Sequence, residues 1–312
     1  MIRAGILGVG HYLPEQIMTN HQFEEKLETS NDWIIARTGI RERRIASSDM
    51  DTSDLAANAS LEALEQAGIT AKDIDLILVA TGTADYEGFP SVACLVQDKI
   101  KARHIPALDL SAACAGFIYA MVVAKQFIET GTYKNVLVIG AEKVSKKLDW
   151  TDRNTAILFG DGAGAVVMGP VSEDKGILSF DLGSDGSGAE QLYIRDHLKM
   201  NGREVYKFAV RQMPKSIQHV AEKAGLNLDE VDLFIPHQAN SRIIEEAANK
   251  LGVTKEKFSI TLDRYANTCA ATIPLSIKEE LRSGRLKSGD MVIMVGFGAG
   301  LTWGSIALVW GK

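Results

Sequence analysis

Three residues whose chemistry suits acyl transfer stand in distinctive local settings: Cys114, His237 and Asn267. Cys114 lies in Ser111-Ala112-Ala113-Cys114-Ala115-Gly116-Phe117, directly after the apolar segment Ala107-Leu108-Asp109-Leu110. Phe117, Met121, Ala124 and Ile128 then follow at spacings that share one helix face. The cysteine is therefore expected at a strand-to-helix turn, where unpaired amides and the helix dipole stabilise a thiolate. Its small neighbours let a substrate carbonyl come close.

His237 follows a short apolar run in Ile235-Pro236-His237-Gln238-Ala239-Asn240. A loop at the end of a central strand is where α/β proteins place their chemistry. His11, His21, His104, His197 and His219 lie in polar surroundings or on helix faces and read as surface residues. Asn267, in Tyr265-Ala266-Asn267-Thr268-Cys269-Ala270, is either an ordinary helix cap or an amide donor. A Cys–His–Asn set is ambiguous by itself, because thiol hydrolases use one too. Cys94, within Val92-Ala93-Cys94-Leu95-Val96, reads as an inert buried thiol.

The elements that position these residues occur twice. Ala67-Gly68-Ile69 before Asp73-Ile74-Asp75-Leu76 returns, 157 positions on, as Ala224-Gly225-Leu226 before Glu230-Val231-Asp232-Leu233. Val136-Leu137-Val138-Ile139-Gly140 returns as Val292-Ile293-Met294-Val295-Gly296, offset by 156. The helix exits Gly131-Thr132-Tyr133-Lys134 and Gly284-Arg285-Leu286-Lys287 differ by 153, and that offset carries Cys114 onto Asn267. Each half is expected to run helix (54–66; 210–223), buried strand (76–79; 233–235), loop, helix (115–130; 271–283) and apolar strand. This predicts an α/β protein of layered sheets, in two pseudo-equivalent halves spanning 1–170 and 171–312. The cleft between them is the natural place for a site.

Composition limits the alternatives. A net charge of −6 argues against nucleic acid as a partner. No apolar run approaches a membrane span, and the N-terminal residues lack a leader pattern. Three cysteines without metal-type spacing argue against zinc and against a disulfide framework, so a reducing, cytoplasmic setting is expected. The run Arg37-Thr38-Gly39-Ile40-Arg41-Glu42-Arg43-Arg44 is either a solvated, ion-paired surface or a phosphate-binding rim. Phe159-Gly160-Asp161-Gly162-Ala163-Gly164-Ala165 and Gly296-Phe297-Gly298-Ala299-Gly300 fit no nucleotide fingerprint and read as tight turns or close backbone approaches.

Together these segments resemble the β-ketoacyl-acyl-carrier-protein synthase III family, of thiolase-like fold, over essentially the whole chain. The resemblance is carried by Asn31-Asp32-Trp33-Ile34, Arg37-Thr38-Gly39-Ile40, Ala112 to Phe117, Phe159 to Ala165, His237-Gln238-Ala239-Asn240 and Asn267-Thr268. It implies an α-β-α-β-α layered fold and an initiating condensing enzyme, working as a homodimer without a bound cofactor or metal. The acyl group would pass from acyl-coenzyme A to Cys114 and condense with malonyl-acyl carrier protein, losing CO2.

The resemblance also implies roles. His237 and Asn267 would bind the malonyl thioester oxygen, a neutral imidazole and an amide serving as donors. The backbone amides of Cys114 and Ala299 would form the oxyanion hole. Trp33 and Arg153 would sandwich the adenine of coenzyme A, with Thr29, Arg37, Gly202 and Asn240 nearby. Phe297 would pack by the catalytic pair, and Phe89 would line the primer pocket at the dimer interface. Lys207, Arg242 and Lys250 would dock the acidic carrier protein, although Asn249 stands where a second base is often found. Cys269, where serine is common, and a longer loop at Tyr86-Glu87-Gly88 depart from the pattern. The alternatives are a secondary-metabolite ketosynthase, a thioester hydrolase and a non-catalytic acyl-binding subunit.

Overall fold

The computed structural model describes residues 2–312. Two sheets dominate it. The first orders its strands Arg3–Tyr12, Gly162–Val171, Val136–Glu142, Leu76–Ala80 and Ala107–Leu110. The second orders Gly176–Ser184, Thr302–Val309, Met291–Gly298 and Leu233–Pro236. In both, strands at one end run parallel (Val136–Glu142, Leu76–Ala80 and Ala107–Leu110; Met291–Gly298 and Leu233–Pro236), and the remaining strands add antiparallel on the other side. A parallel bridge from Phe234 to Phe258 stands where the first sheet has its fifth strand. The strand order is thus the same in the two halves.

Residue alternation explains why the central strands read as unbroken apolar runs. Leu76, Leu78, Val136 and Val138 point into a middle layer formed by the helices Gly116–Glu129 and Thr272–Arg282. Leu233, Ile235, Val292 and Met294 of the second sheet enter the same layer from the other side. Ile77, Val79, Leu137 and Ile139 instead meet the outer helix Thr52–Ala67. Phe234, Ile293 and Val295 meet Gly202–Ala224 and Ser241–Leu251. The result is five layers, α-β-α-β-α. The glycine exits are as expected: Gly68 and Gly225 close their helices at φ 72° and 70°.

One helix is longer than its sequence suggested. It begins at Gly202 rather than 210 and runs through Pro214. Proline removes the N–H that would bond the Val210 carbonyl. That carbonyl accepts from Lys250 Nζ instead, at 3.1 Å, so the interruption is satisfied from the neighbouring helix.

Candidate active site

Cys114 sits in a 3-10 turn, Ala113–Ala115, that leads into the helix Gly116–Glu129. It is 5% exposed. The matching turn of the other half is Cys269–Ala271, leading into Thr272–Arg282. Ala113 and Cys269 open the two turns at nearly the same φ, 47° and 48°. The true offset here is therefore 156, which pairs Cys114 with Ala270 and Asn267 with Ser111, correcting the Cys114–Asn267 equivalence. The physical reason is a shorter helix: 14 residues follow the first turn and 11 the second, so helix exits misreport helix starts by three.

The two turns nevertheless meet. A β-carbon on Gly140 would lie 2.3 Å from the Ala270 carbonyl oxygen, and one on Gly296 would lie 3.0 Å from Ala115 Cα. Each glycine thus admits the opposite half's turn into its own sheet. Asn267 is tied to the first half as well. Its N–H donates to Leu158 O at 3.0 Å, and its carbonyl accepts from Gly160 N at 3.1 Å. Its Oδ1 accepts from Cys269 N at 2.8 Å, which leaves the Nδ2 donors for the cavity that Asn267 lines.

His237 follows the strand Leu233–Pro236, with its N–H donating to Val295 O at 2.8 Å. The ring is 2% exposed and meets Phe297 edge-on, 5.2 Å between centroids. Nδ1 lies 2.7 Å from Thr272 Oγ1. Cys114, His237, Asn267, Phe297 and Ala299 all line one cavity of about 150 Å³, a volume that elsewhere admits a benzene-sized molecule. A short acyl chain fits such a space.

The Cys114 thiol is held well below its ordinary value. A hydrogen bond with Cys269 contributes most, burial opposes it, and the charge and hydrogen bond of His237 add to the lowering. Cys269 is pushed up well above the ordinary thiol value by the same contact and by burial, so Cys114 is the thiolate of the pair. Among the described residues no cluster of side chains suits a metal, and no helix is long and apolar enough to cross a membrane.

Outside the cavity, Trp33 carries two guanidinium groups on its ring, Arg37 at 5.5 Å and Arg153 at 5.1 Å. Asn240 links this cluster to the cavity: it lines the opening and donates from Nδ2 to Arg37 O at 3.0 Å. Thr29 lies just before the Trp33 helix with its hydroxyl buried and unpartnered, and Gly202 stands at the cavity rim. Lys207 pairs with Glu204, Arg242 lies over Tyr206 at 5.8 Å, and Lys250 is held by Val210 O and Glu246. Tyr206 and Ile243 extend the same rim.

Phe89 is 90% exposed and stands outside the cavity of this chain. Three expectations are corrected. Cys94 is exposed, because it falls on the outward face of Val92–Lys99 between buried Ala93 and Val96. His11 is only partly exposed and hydrogen-bonds Glu62 through Nδ1 at 2.7 Å. In the arginine run, Arg43 is neither surface nor rim. It is fully buried, with its guanidinium donating to Met18 O, Asn20 Oδ1 and Ile157 O and stacked on Phe23 at 4.8 Å.

Sequence reasoning missed Glu142, which lines the cavity at 1% exposure. It accepts from Gly82 N at 3.1 Å and from the hydroxyls of Thr81 and Thr83. Burial raises its carboxyl to about 7. The available signal was a lone charge ending the apolar strand Val136–Glu142. The glycine-rich Phe159 to Ala165 proves to be a close approach, since a β-carbon on Gly164 would lie 2.6 Å from Pro274.

Family models match segments of both halves. The model for 3-oxoacyl-acyl-carrier-protein (ACP) synthase III matches residues 108–186, and that for its C-terminal part matches 221–310. The chain is 59% identical over 311 residues to β-ketoacyl-acyl-carrier-protein synthase III 1 of Bacillus cereus, covering 100% of each. It is 61% identical over 309 residues to the synthase III of Geobacillus kaustophilus, covering 99% of each. The crystal structure of 3-oxoacyl-acyl-carrier-protein synthase III from Aquifex aeolicus superposes with a TM-score of 0.96 at 46% identity, over 98% of this chain and 100% of that one. With a thiolase-like fold, both family models matched and full-length relatives of this kind, the chain belongs to the 3-oxoacyl-acyl-carrier-protein synthase III family.

Proposed function

We propose that this chain performs the initiating condensation of fatty acid synthesis, with Cys114, His237 and Asn267 as its catalytic residues. The Cys114 thiolate attacks the thioester carbonyl of acyl-coenzyme A. The amides of Cys114 and Ala299 hold the oxyanion, and the carbon–sulfur bond to coenzyme A breaks. Malonyl-acyl carrier protein then places its thioester oxygen between Asn267 Nδ2 and His237 Nε2. Loss of CO2 leaves the electron pair as an enolate held by those donors. Its carbon attacks the acyl group, and the Cys114 thiolate departs from the resulting 3-oxoacyl-acyl carrier protein.

The observation that carries this reading is the orientation of Asn267. Cys269 N–H occupies its Oδ1, so the cavity meets a donor, which suits a developing enolate oxygen. In a thiol hydrolase the third residue orients the histidine; here the partner of His237 Nδ1 is Thr272.

Coenzyme A would bind along Thr29, Trp33, Arg37, Arg153, Gly202 and Asn240, and the carrier protein against Lys207, Arg242 and Lys250. The exposed aromatics Phe89 and Tyr86 support burial against a second copy, with Phe89 closing that copy's primer pocket. Two halves, 1–170 and 171–312, would work as one unit without a cofactor, in the cytoplasm.

The test is mass spectrometry of protein mixed with acetyl-, butyryl- or branched acyl-coenzyme A, beside Cys114→Ala, then chased with malonyl-acyl carrier protein. An adduct on Cys114 that disappears on the chase as 3-oxoacyl-acyl carrier protein forms is the expected result. An adduct that decays as fast in buffer alone would overturn condensation in favour of hydrolysis.

A further inference from the structure

Thr272 is 2% exposed and opens the helix Thr272–Arg282. Its hydroxyl touches two groups, His237 Nδ1 at 2.7 Å and the Cys269 carbonyl at 3.0 Å. A carbonyl oxygen only accepts, and the hydroxyl has a single proton to give. Both bonds therefore form together only when the hydroxyl donates to Cys269 O and accepts from a protonated Nδ1. If the hydroxyl turned to donate to Nδ1, the contact with Cys269 O would be lost in a site closed to water. The same turn holds Asn267, through Cys269 N–H on its Oδ1, so one hydrogen-bonded loop orients both donors.

We propose that Thr272 is a positioning residue that keeps the proton of His237 on Nδ1, making Nε2 the atom that receives the Cys114 proton. The inference rests on the reaction proposed above and deepens it. The thiol S–H bond breaks, its proton goes to Nε2, and a thiolate–imidazolium pair results. Coenzyme A leaves as a thiolate and takes its proton from water. Nε2–H is then still present to donate to the enolate oxygen, and the departing Cys114 thiolate restores the pair. The donor is thus an imidazolium, created by ionising the nucleophile, rather than a neutral ring.

Two measurements on the full-length protein test this. The first is the pH dependence of Cys114 alkylation by iodoacetamide in wild type, Thr272→Val and Thr272→Ser. It needs no substrate, so it stands or falls apart from the condensation reaction. Valine should move the inflection up by a pH unit or more and lower turnover 10- to 100-fold, and serine should restore both. A folded valine variant with the wild-type alkylation profile would overturn the proposal. The second is 15N NMR of the imidazole in Cys114→Ala at a pH where the ring is neutral, which does not depend on the valine variant folding. A proton on Nδ1 is expected, and a proton on Nε2 would refute the assignment.

Discussion

Gly298 lies directly against Cys114. A β-carbon built on the glycine would stand 2.9 Å from the cysteine's Cβ and backbone nitrogen and 3.2 Å from its sulfur. The strand Met291–Gly298 of the second half is therefore the wall against which the Cys114 turn of the first half is set.

Gly298→Ala is expected to push the Cys114 turn aside. Overpacking of this kind costs about 1–3 kcal/mol. A displacement of the nucleophile near 1 Å costs on the order of 100-fold in rate. Thermal unfolding and the rate of acyl-adduct formation read the two effects separately, and wild-type values for both would show the wall to be yielding.

Cys114 should alkylate well below the pH at which an ordinary thiol does, about 8.5. Its thiolate persists above its lowered value and is lost only as pH falls through it. Because the contact with Cys269 is the largest cause of the lowering, Cys269→Ala should move the alkylation profile of Cys114 upward. Peptide mapping separates Cys114 from exposed Cys94.

Glu142 should make the fold less stable as pH rises. Its carboxyl is raised to about 7 by burial, from an ordinary 4.5, so the folded chain binds its proton more tightly than the unfolded chain. Linkage then gives no penalty below about 4.5, a growing one between 4.5 and 7, and a full penalty above 7 of about 3 kcal/mol. Urea midpoints across that window should decline in the wild type and decline less in Glu142→Gln. Parallel curves would contradict the assignment.

Trp33→Ala should weaken acyl-coenzyme A binding without touching the chemistry. The expected signature is KM raised about tenfold with kcat within about twofold, the size of one or two stacked cation contacts. Steady-state kinetics with saturating malonyl-acyl carrier protein would show it; a fall in kcat alone would place Trp33 elsewhere.

Much of the architecture was legible because it is written twice. Val136 to Gly140 and Val292 to Gly296 sit in equivalent central strands, and their terminal glycines serve equivalent contacts. The three catalytic candidates were also legible, since Cys114, His237 and Asn267 each stand at the end of a strand or the start of a turn. Other features hid in tertiary partners. Arg43 reads as one more surface arginine until its three acceptors, from residues 18, 20 and 157, close around it. Glu142 needed Gly82 and Thr83, some 60 positions away, to become a buried cavity carboxyl. Thr272 gave no signal, because a threonine opening a helix is ordinary.

The two backbone hydrogen bonds of Asn267 to Leu158 and Gly160 rivet a donor of one half to a loop of the other. A clamshell opening would have to shear those bonds and lift both glycine-seated turns. Turnover must therefore proceed inside a rigid frame, with traffic confined to the rim. Gly202, Tyr206 and Ile243 form that rim, with the stacked Trp33, Arg37 and Arg153 outside it. Adjustment there is a matter of side chains rather than of domains that swing in milliseconds. A thioester on a long flexible arm can thread such an opening, whereas a substrate too broad to enter end-on cannot.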